Sequence, residues 1–249
     1  MSDIRTRKVN YAFGGLEMTG HAAWDADIAG LRPVVLVVHE WWGCNDYARH
    51  RAEMLAELGY LGFAVDLYGG GRNAADTDEA AALMSGLLSD RPALRGRFDA
   101  ALDAARGLAA ADPSKAAAIG YCMGGGVVLH MARYGADLAA VASFHGALAL
   151  AVAPEGEGAA VKARLAVYHG EADEFVPPED VSAFLAEVEK VRADCLFILM
   201  PGATHGFTNP AATARGEKYG LPLRYSALAD RSSWDHMRMV LDDALRPAE

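Results

Sequence analysis

Cys122 stands in the pentapeptide Gly120-Tyr121-Cys122-Met123-Gly124, where a short apolar run, Ala116 to Tyr121, gives way to helical spacing from Gly124. This is the G-x-S-x-G nucleophile elbow with sulfur in place of oxygen. A nucleophile lifted out of a sheet on so tight a turn takes a strained backbone, and its neighbours two residues away must be small. Gly125 and Gly126 let the helix start close to the sheet. The helix N-terminal amides and dipole favour a thiolate there. Taken alone, the pentapeptide also fits a buried cysteine beside a glycine-rich turn.

Partners for such a nucleophile lie downstream. The run Ala163 to His169 ends in Gly170-Glu171-Ala172-Asp173, and the run Cys195 to Met200 ends in Pro201-Gly202-Ala203-Thr204-His205-Gly206-Phe207. Nucleophile, acid and histidine in that order, at the ends of successive strands, is the α/β-hydrolase arrangement. Asp173 would accept a hydrogen bond from one ring nitrogen of His205 and leave the other facing the sulfur. Glu171, Glu174 and Asp180 compete for the acid's place, and Asp173 is preferred because Phe175-Val176-Pro177-Pro178 stiffens the turn behind it. His21, His50, His130 and His236 read as structural, and His145 and His169 as histidines packed under the site.

A third cluster, His39-Glu40-Trp41-Trp42-Gly43, follows the run Pro33 to His39. In this fold the loop after that strand supplies one oxyanion-hole N–H and the residue after the nucleophile the other. These positions are Trp41 and Met123. A carboxylate at a catalytic strand end, as at Glu40, is costly unless it is used or solvated. Trp42 and Tyr121 could wall a small apolar pocket or be plain core aromatics.

The elements that must position these residues alternate along the chain. Buried parallel strands are predicted at Pro33 to His39, Gly62 to Leu67, Ala116 to Tyr121, Leu138 to Phe144, Ala163 to His169 and Cys195 to Met200. Helices are predicted at Tyr47 to Leu58, Asp76 to Leu88, Ala93 to Ala110, Gly124 to Tyr134, Pro178 to Val191 and Ser233 to Leu245. Asn10 to Trp24, with Gly14-Gly15, reads as an antiparallel hairpin. The expectation is an α/β-hydrolase fold: a mostly parallel eight-stranded sheet with helices on both faces. Gly69-Gly70-Gly71 and Ala153 to Gly158 mark loops too short to divide domains, so residues 1–249 are expected to form a single domain.

Composition is consistent with this. Of 249 residues 52% are hydrophobic and 22% charged, which suits a large packed core. A net charge of −10 and a pI near 5.3 argue against nucleic-acid or anionic-membrane binding. No apolar run reaches membrane-spanning length, and the polar start lacks a secretory apolar core. Cys44, Cys122 and Cys195, odd in number and unrelated in spacing, suggest neither disulfides nor a zinc site, and a cytoplasmic setting is expected. No cofactor or metal is expected.

Together the Glu40 loop, the Cys122 elbow, His169-Gly170-Glu171-Ala172-Asp173 and Thr204-His205-Gly206-Phe207 resemble the dienelactone hydrolase (carboxymethylenebutenolidase) family, from about Val34 to the C-terminus. The resemblance implies a Cys122-His205-Asp173 triad that cleaves a carboxylic ester or lactone through an acyl-enzyme. It also implies that Glu40 contacts the thiol and holds it back until substrate displaces the glutamate. Members specialised for dienelactone grip the substrate carboxylate with arginines, one shortly after the histidine. Here Gly-Phe-Thr-Asn-Pro follows His205, and any clamp must come from elsewhere, with Arg72, Arg91, Lys218 and Arg224 as candidates. The stretch Ala211 to Ser232 could form a flap, with Tyr219 and Tyr225 as wall residues.

Two other functions fit parts of the pattern. A thioesterase or acyl-transfer enzyme could use the same nucleophile, although no basic cluster is present to grip a carrier. A non-catalytic ligand-binding homologue would not require the triad types and the elbow glycines together. A metal hydrolase would call for H-x-x-x-H or H-E-x-x-H spacing, which is absent. The expected partner is a small ester or lactone, and the expected state is a monomer or small homo-oligomer.

Overall fold

In the computed structural model, which describes residues 2–154 and 156–246, Gly14 and Gly15 take positive φ and turn the chain between β1 (Ile4–Phe13) and β2 (Leu16–Asp25). The antiparallel register pairs Phe13 with Leu16 at the turn and Ile4 with Asp25 at the open end. The hairpin is longer at both ends than the predicted Asn10 to Trp24, because its outer half is polar and carries no hydrophobic signal. Glu155, in the predicted 153–158 loop, lies outside the described residues.

Six further strands follow: β3 (Arg32–Val38), β4 (Leu61–Val65), β5 (Ala111–Tyr121), β6 (Ala140–Phe144), β7 (Arg164–Gly170) and β8 (Cys195–Met200). Strand order is β1-β2-β4-β3-β5-β6-β7-β8, a mixed and mostly parallel eight-stranded sheet of the α/β class. The chain divides into two compact units, Met1–Ala118 and Ile119–Glu249, with the division falling inside β5.

In the first unit β3 and β4 are parallel, Val34 opposite Leu61 through Val38 opposite Val65, and β2 joins β4 antiparallel. Both β3 and β4 are buried throughout, as their unbroken apolar runs require. Helix α1 (Asp46–Glu57) is capped by the Asn45 side chain and packs on β2, β3 and β4. At Gly62 an added Cβ would meet the Ala52 carbonyl oxygen at 2.2 Å, so glycine lets α1 approach β4 this closely. Helices α2 (Thr77–Leu88) and α3 (Arg91–Arg106) are capped by Asp76 and Asp90. The predicted third helix overran: α3 stops at Arg106 with Gly107 as its C-cap, and Ala109 and Ala110 lie in the turn that leads into β5.

In the second unit β6, β7 and β8 are parallel neighbours. Helix α4 (Met123–Arg133) packs on β6, and α7 (Ala227–Leu245) packs on β6 and β7. Helix α5 (Pro178–Val191) begins at Pro178, where a missing N–H costs nothing, and has the bounds expected from sequence. Helix α6 (Ala212–Tyr219) is absent from the predicted helices; its eight residues lie at the start of the 211–232 stretch expected as a flap. No helix among the described residues is long and apolar enough to cross a membrane.

Candidate active site

Cys122 is the single residue between β5 and α4, with φ 55° and ψ −121°. A β-carbon is rarely tolerated at positive φ, so the surroundings must hold this residue in place. Its N–H is shared between the Phe144 carbonyl at 3.1 Å and His145 Nδ1 at 3.1 Å. Its carbonyl accepts from Gly126 at 3.3 Å and from Ala147 at 3.2 Å. The glycine requirement read from the sequence is steric in fact. A Cβ at Gly120 would lie 2.1 Å from the Gly124 oxygen, at Gly125 2.7 Å from Ser143 Oγ, and at Gly126 2.4 Å from the Ala147 oxygen. Met123 opens α4, whose first-turn amides point out of the helix.

Asp173 follows β7, and its side chain is completely buried. Oδ2 accepts from His205 Nδ1 at 2.8 Å, and Oδ1 accepts from the Phe175 amide at 3.0 Å. The competing acids point elsewhere. Glu171 is exposed and accepts from the Gly202 amide, Glu174 is exposed, and Asp180 lies in the first turn of α5. His205 follows β8 and is buried, with the Phe175 ring 4.9 Å away. Burial alone would lower its pKa, but the neighbouring Cys122 sulfur and the Asp173 carboxylate more than reverse this and raise it to about 10. With Nδ1 committed to Asp173, Nε2 is the nitrogen left for the sulfur. The structure thus brings Cys122, Asp173 and His205 into one electrostatic group.

The other two cysteines are set up differently. Burial pushes the Cys44 thiol up to about 12 and that of Cys195 up to about 11, so both stay protonated at neutral pH. The structural reading of four histidines agrees with their contacts. His21 meets Glu53, exposed His50 lies within 4.0 Å of the same carboxylate, His130 Nδ1 donates to the Leu150 carbonyl, and His236 meets the Tyr168 hydroxyl. His169 is buried at the end of β7 with Nδ1 lacking a partner; burial holds its pKa down, against the pull of Asp173.

Tyr121 is fully buried and stacks on Phe144 at 4.8 Å, which stacks on Tyr168 at 4.8 Å. This column supports the elbow from within the core. The Ala211 to Ser232 stretch braces the histidine loop: Leu223 bridges His205, Ser226 donates to the Phe207 carbonyl, and Thr204 Oγ1 donates to the Arg224 carbonyl. Tyr225 donates to Asp230, while Tyr219 lies beneath Lys218, whose ammonium is 4.7 Å from the ring centre. Arg224 is exposed.

In the first unit Glu40 is buried at the end of β3. His39 Nδ1 donates to the Glu40 carbonyl at 2.5 Å, and His39 Nε2 accepts from the Leu67 amide at 3.4 Å. Burial lowers the His39 pKa, so it acts as a neutral spacer. The Tyr68 hydroxyl donates to the Trp41 carbonyl at 2.9 Å, and Trp42, buried, meets the Trp41 ring edge-on at 5.1 Å. Asp66 orders the loop behind them, accepting from the amides of Tyr68, Gly69 and Gly71 and from that of Thr19. Arg72 pairs with Glu79 at 3.6 Å, and Arg91 is part-exposed at the start of α3. Neither Asp66 nor Tyr68 was singled out from sequence; an aspartate just before Gly69-Gly70-Gly71 was the available signal.

No group of three or more His, Cys, Asp or Glu side chains among the described residues could hold a metal ion. Comparison with known proteins identifies the family. The dienelactone hydrolase family model matches residues 22–245. An uncharacterized protein of Caenorhabditis elegans is 34% identical over 164 residues, covering 64% of this chain and 99% of the relative. A protein of Aquifex aeolicus, provisionally named a carboxymethylenebutenolidase, is 29% identical over 81% of this chain and 86% of its own. Among solved structures, the dienelactone hydrolase-like promiscuous phosphotriesterase P91 from metagenomic libraries superposes with a TM-score of 0.91 at 34% identity, covering 97% of this chain and 98% of that one. With the motifs, the fold and the family match in agreement over nearly its whole length, the chain is a hydrolase and belongs to the dienelactone hydrolase family.

Proposed function

We propose that the chain hydrolyses a carboxylic ester or lactone with Cys122 as nucleophile, His205 as general base and acid, and Asp173 as the orienting acid. The observation that carries this is the 2.8 Å Asp173–His205 bond beside a cysteine held at positive φ between strand and helix. In the first half-reaction the proton rests on His205, where its raised pKa favours it over the Cys122 sulfur, and the thiolate adds to the carbonyl carbon. The oxyanion formed is stabilised from the first turn of α4, where Met123 supplies an N–H. Collapse breaks the ester C–O bond, with the His205 proton going to the leaving oxygen, and leaves a thioester on Cys122. In the second half-reaction His205 takes a proton from water, which attacks the thioester and releases the acid and the thiol. The thiol-restraining role of Glu40 rests on the family resemblance alone, and the oxyanion role of Trp41 on its position in the loop after β3.

The deciding experiment is turnover of p-nitrophenyl acetate by the native chain and by Cys122→Ala. Loss of turnover in a variant with native circular dichroism is expected. Full activity in that variant would end this reading.

A second reading rests on the likeness to P91, which is described as a promiscuous phosphotriesterase. At phosphorus the same thiolate would displace an aryloxide, and His205-activated water would free the enzyme from the S–P bond. Paraoxon turnover that disappears in Cys122→Ala supports this extension.

A further inference from the structure

We propose that His145 is a positioning residue that fixes the separation of Cys122 and His205; the inference rests on the reading above, in which those two groups react. His145 closes β6 with φ 41°, one of three described non-glycine residues at positive φ, and it is fully buried. Its backbone N–H donates to the Tyr168 carbonyl at 2.8 Å, anchoring it to β7. Both ring nitrogens are engaged. Nδ1 accepts from the Cys122 amide at 3.1 Å, so the ring hydrogen sits on Nε2, which donates to Thr208 Oγ1 at 2.8 Å.

The result is one directed chain, from the Cys122 N–H through the imidazole to the Thr208 hydroxyl. Thr208 lies three residues past His205 in the same loop, whose Phe207 is completely buried. The ring also stands edge-on to His205 at 5.1 Å and to Phe207 at 5.1 Å. A single imidazole therefore spans the elbow and the histidine loop, touching the backbone of one reacting residue and the ring of the other. Because its nitrogens are occupied by a backbone amide and a hydroxyl, His145 does not take the thiol proton. It sets where His205 must stand to do so. A histidine suits this place because it is a rigid spacer with an acceptor at one end and a donor at the other.

Substitutions separate the parts of this chain. His145→Phe keeps a ring and removes both hydrogen bonds. His145→Asn suits the positive φ and places an acceptor oxygen where Nδ1 stood. Thr208→Val cuts only the far link. With p-nitrophenyl acetate, kcat is expected to fall in His145→Phe by about a hundredfold, the scale for an ångström of misplacement at a reacting pair, with little change in KM. His145→Asn should recover most of that loss, and Thr208→Val should lower kcat in the same direction as His145→Phe.

A folded His145→Phe variant with native kcat overturns the proposal, as does equal loss in His145→Phe and His145→Asn, which would leave only shape at work. Should His145→Phe fail to fold, ¹⁵N NMR of the native protein decides: a hydrogen on Nε2 supports the chain, and a hydrogen on Nδ1 excludes it. Full turnover in Cys122→Ala, by contrast, removes the underlying reaction and leaves the NMR result standing by itself.

Discussion

Asp173 divides its two oxygens between His205 Nδ1, at 2.8 Å, and the Phe175 amide, at 3.0 Å. One oxygen fixes the tautomer of the histidine, and the other fixes the carboxylate. Asp173→Asn keeps the volume but can present an amide hydrogen to Nδ1, which moves the ring hydrogen to the nitrogen needed by the sulfur. Ester turnover should fall on the order of 10⁴-fold with the fold preserved, the scale seen when an orienting acid is lost. Stopped-flow and steady-state assays with p-nitrophenyl acetate measure this, and a loss below tenfold would assign the acid's role to another group.

His205 should titrate far above an ordinary histidine. Its folded pKa is raised to about 10 against ~6.5 when unfolded, so the protonated form is favoured by the native state. The stabilisation this brings is complete below ~6.5 and is lost as pH rises through the folded value. Cys122→Ala removes the sulfur, leaving Asp173 alone against burial, and the His205 pKa should drop. Ring-proton NMR across pH 5 to 11 follows the titration; an unchanged pKa in Cys122→Ala would show that the sulfur does not act on His205.

Alkylation tests the restraint that family resemblance assigns to Glu40. Cys44 and Cys195 are held as neutral thiols, with pKa values pushed up to about 12 and about 11, so modification near neutral pH reports chiefly on Cys122. Iodoacetamide should react faster with Glu40→Ala than with the native chain in the absence of substrate. Equal rates across neutral pH remove Glu40 from the mechanism.

Arg133 and Glu187 form a 2.6 Å ion pair between α4 and α5, with side chains only 9% and 7% exposed. Arg133 also donates to the carbonyls of Ala159 at 2.6 Å and Glu157 at 3.1 Å, so it pins the loop before β7. Glu187→Ala strands a buried cation and should lower unfolding stability by about 3–5 kcal/mol. Although burial would raise the Glu187 pKa, Arg133 and Lys190 hold it below the usual carboxylate range. Its contribution is therefore present above the unfolded value and lost as pH falls through the folded one. Urea melts at pH 7 and pH 3 should differ less in Glu187→Ala than in the native chain.

The sequence carried the site further than it carried the elements around it. Cys122, Asp173 and His205 could be nominated because each sits in a short motif at a strand end, where residue type and position both constrain chemistry, and the structure puts Asp173 in hydrogen-bond contact with His205. Helix α5 and strand β8 were readable because a proline start and an unbroken apolar run mark them. Helix α6 was not: eight residues with Gly216 inside give little helical signal. That glycine is explained only by the returning chain, since a Cβ there would lie 2.5 Å from the Leu223 oxygen. The opening residues of β5, from Asp112 to Lys115, lack an apolar run and are mostly exposed, so the predicted strand began only at Ala116. His145 could be placed near the site, yet its partner Thr208 is 63 residues on, and no local pattern connects them.

The segment from Leu221 to Ser226 is fastened to the histidine loop and to α6 through its own main chain: Leu221 and Ser226 by their amides, Leu223 by a backbone bridge, Arg224 by its carbonyl and Tyr225 by its amide to Thr213. Attachment of this kind is indifferent to side-chain identity. Exposed positions such as Arg224 can therefore be changed in a mutant library without loosening the loop that carries His205, so this short return is a place where the surface beside the histidine can be rewritten at little structural cost.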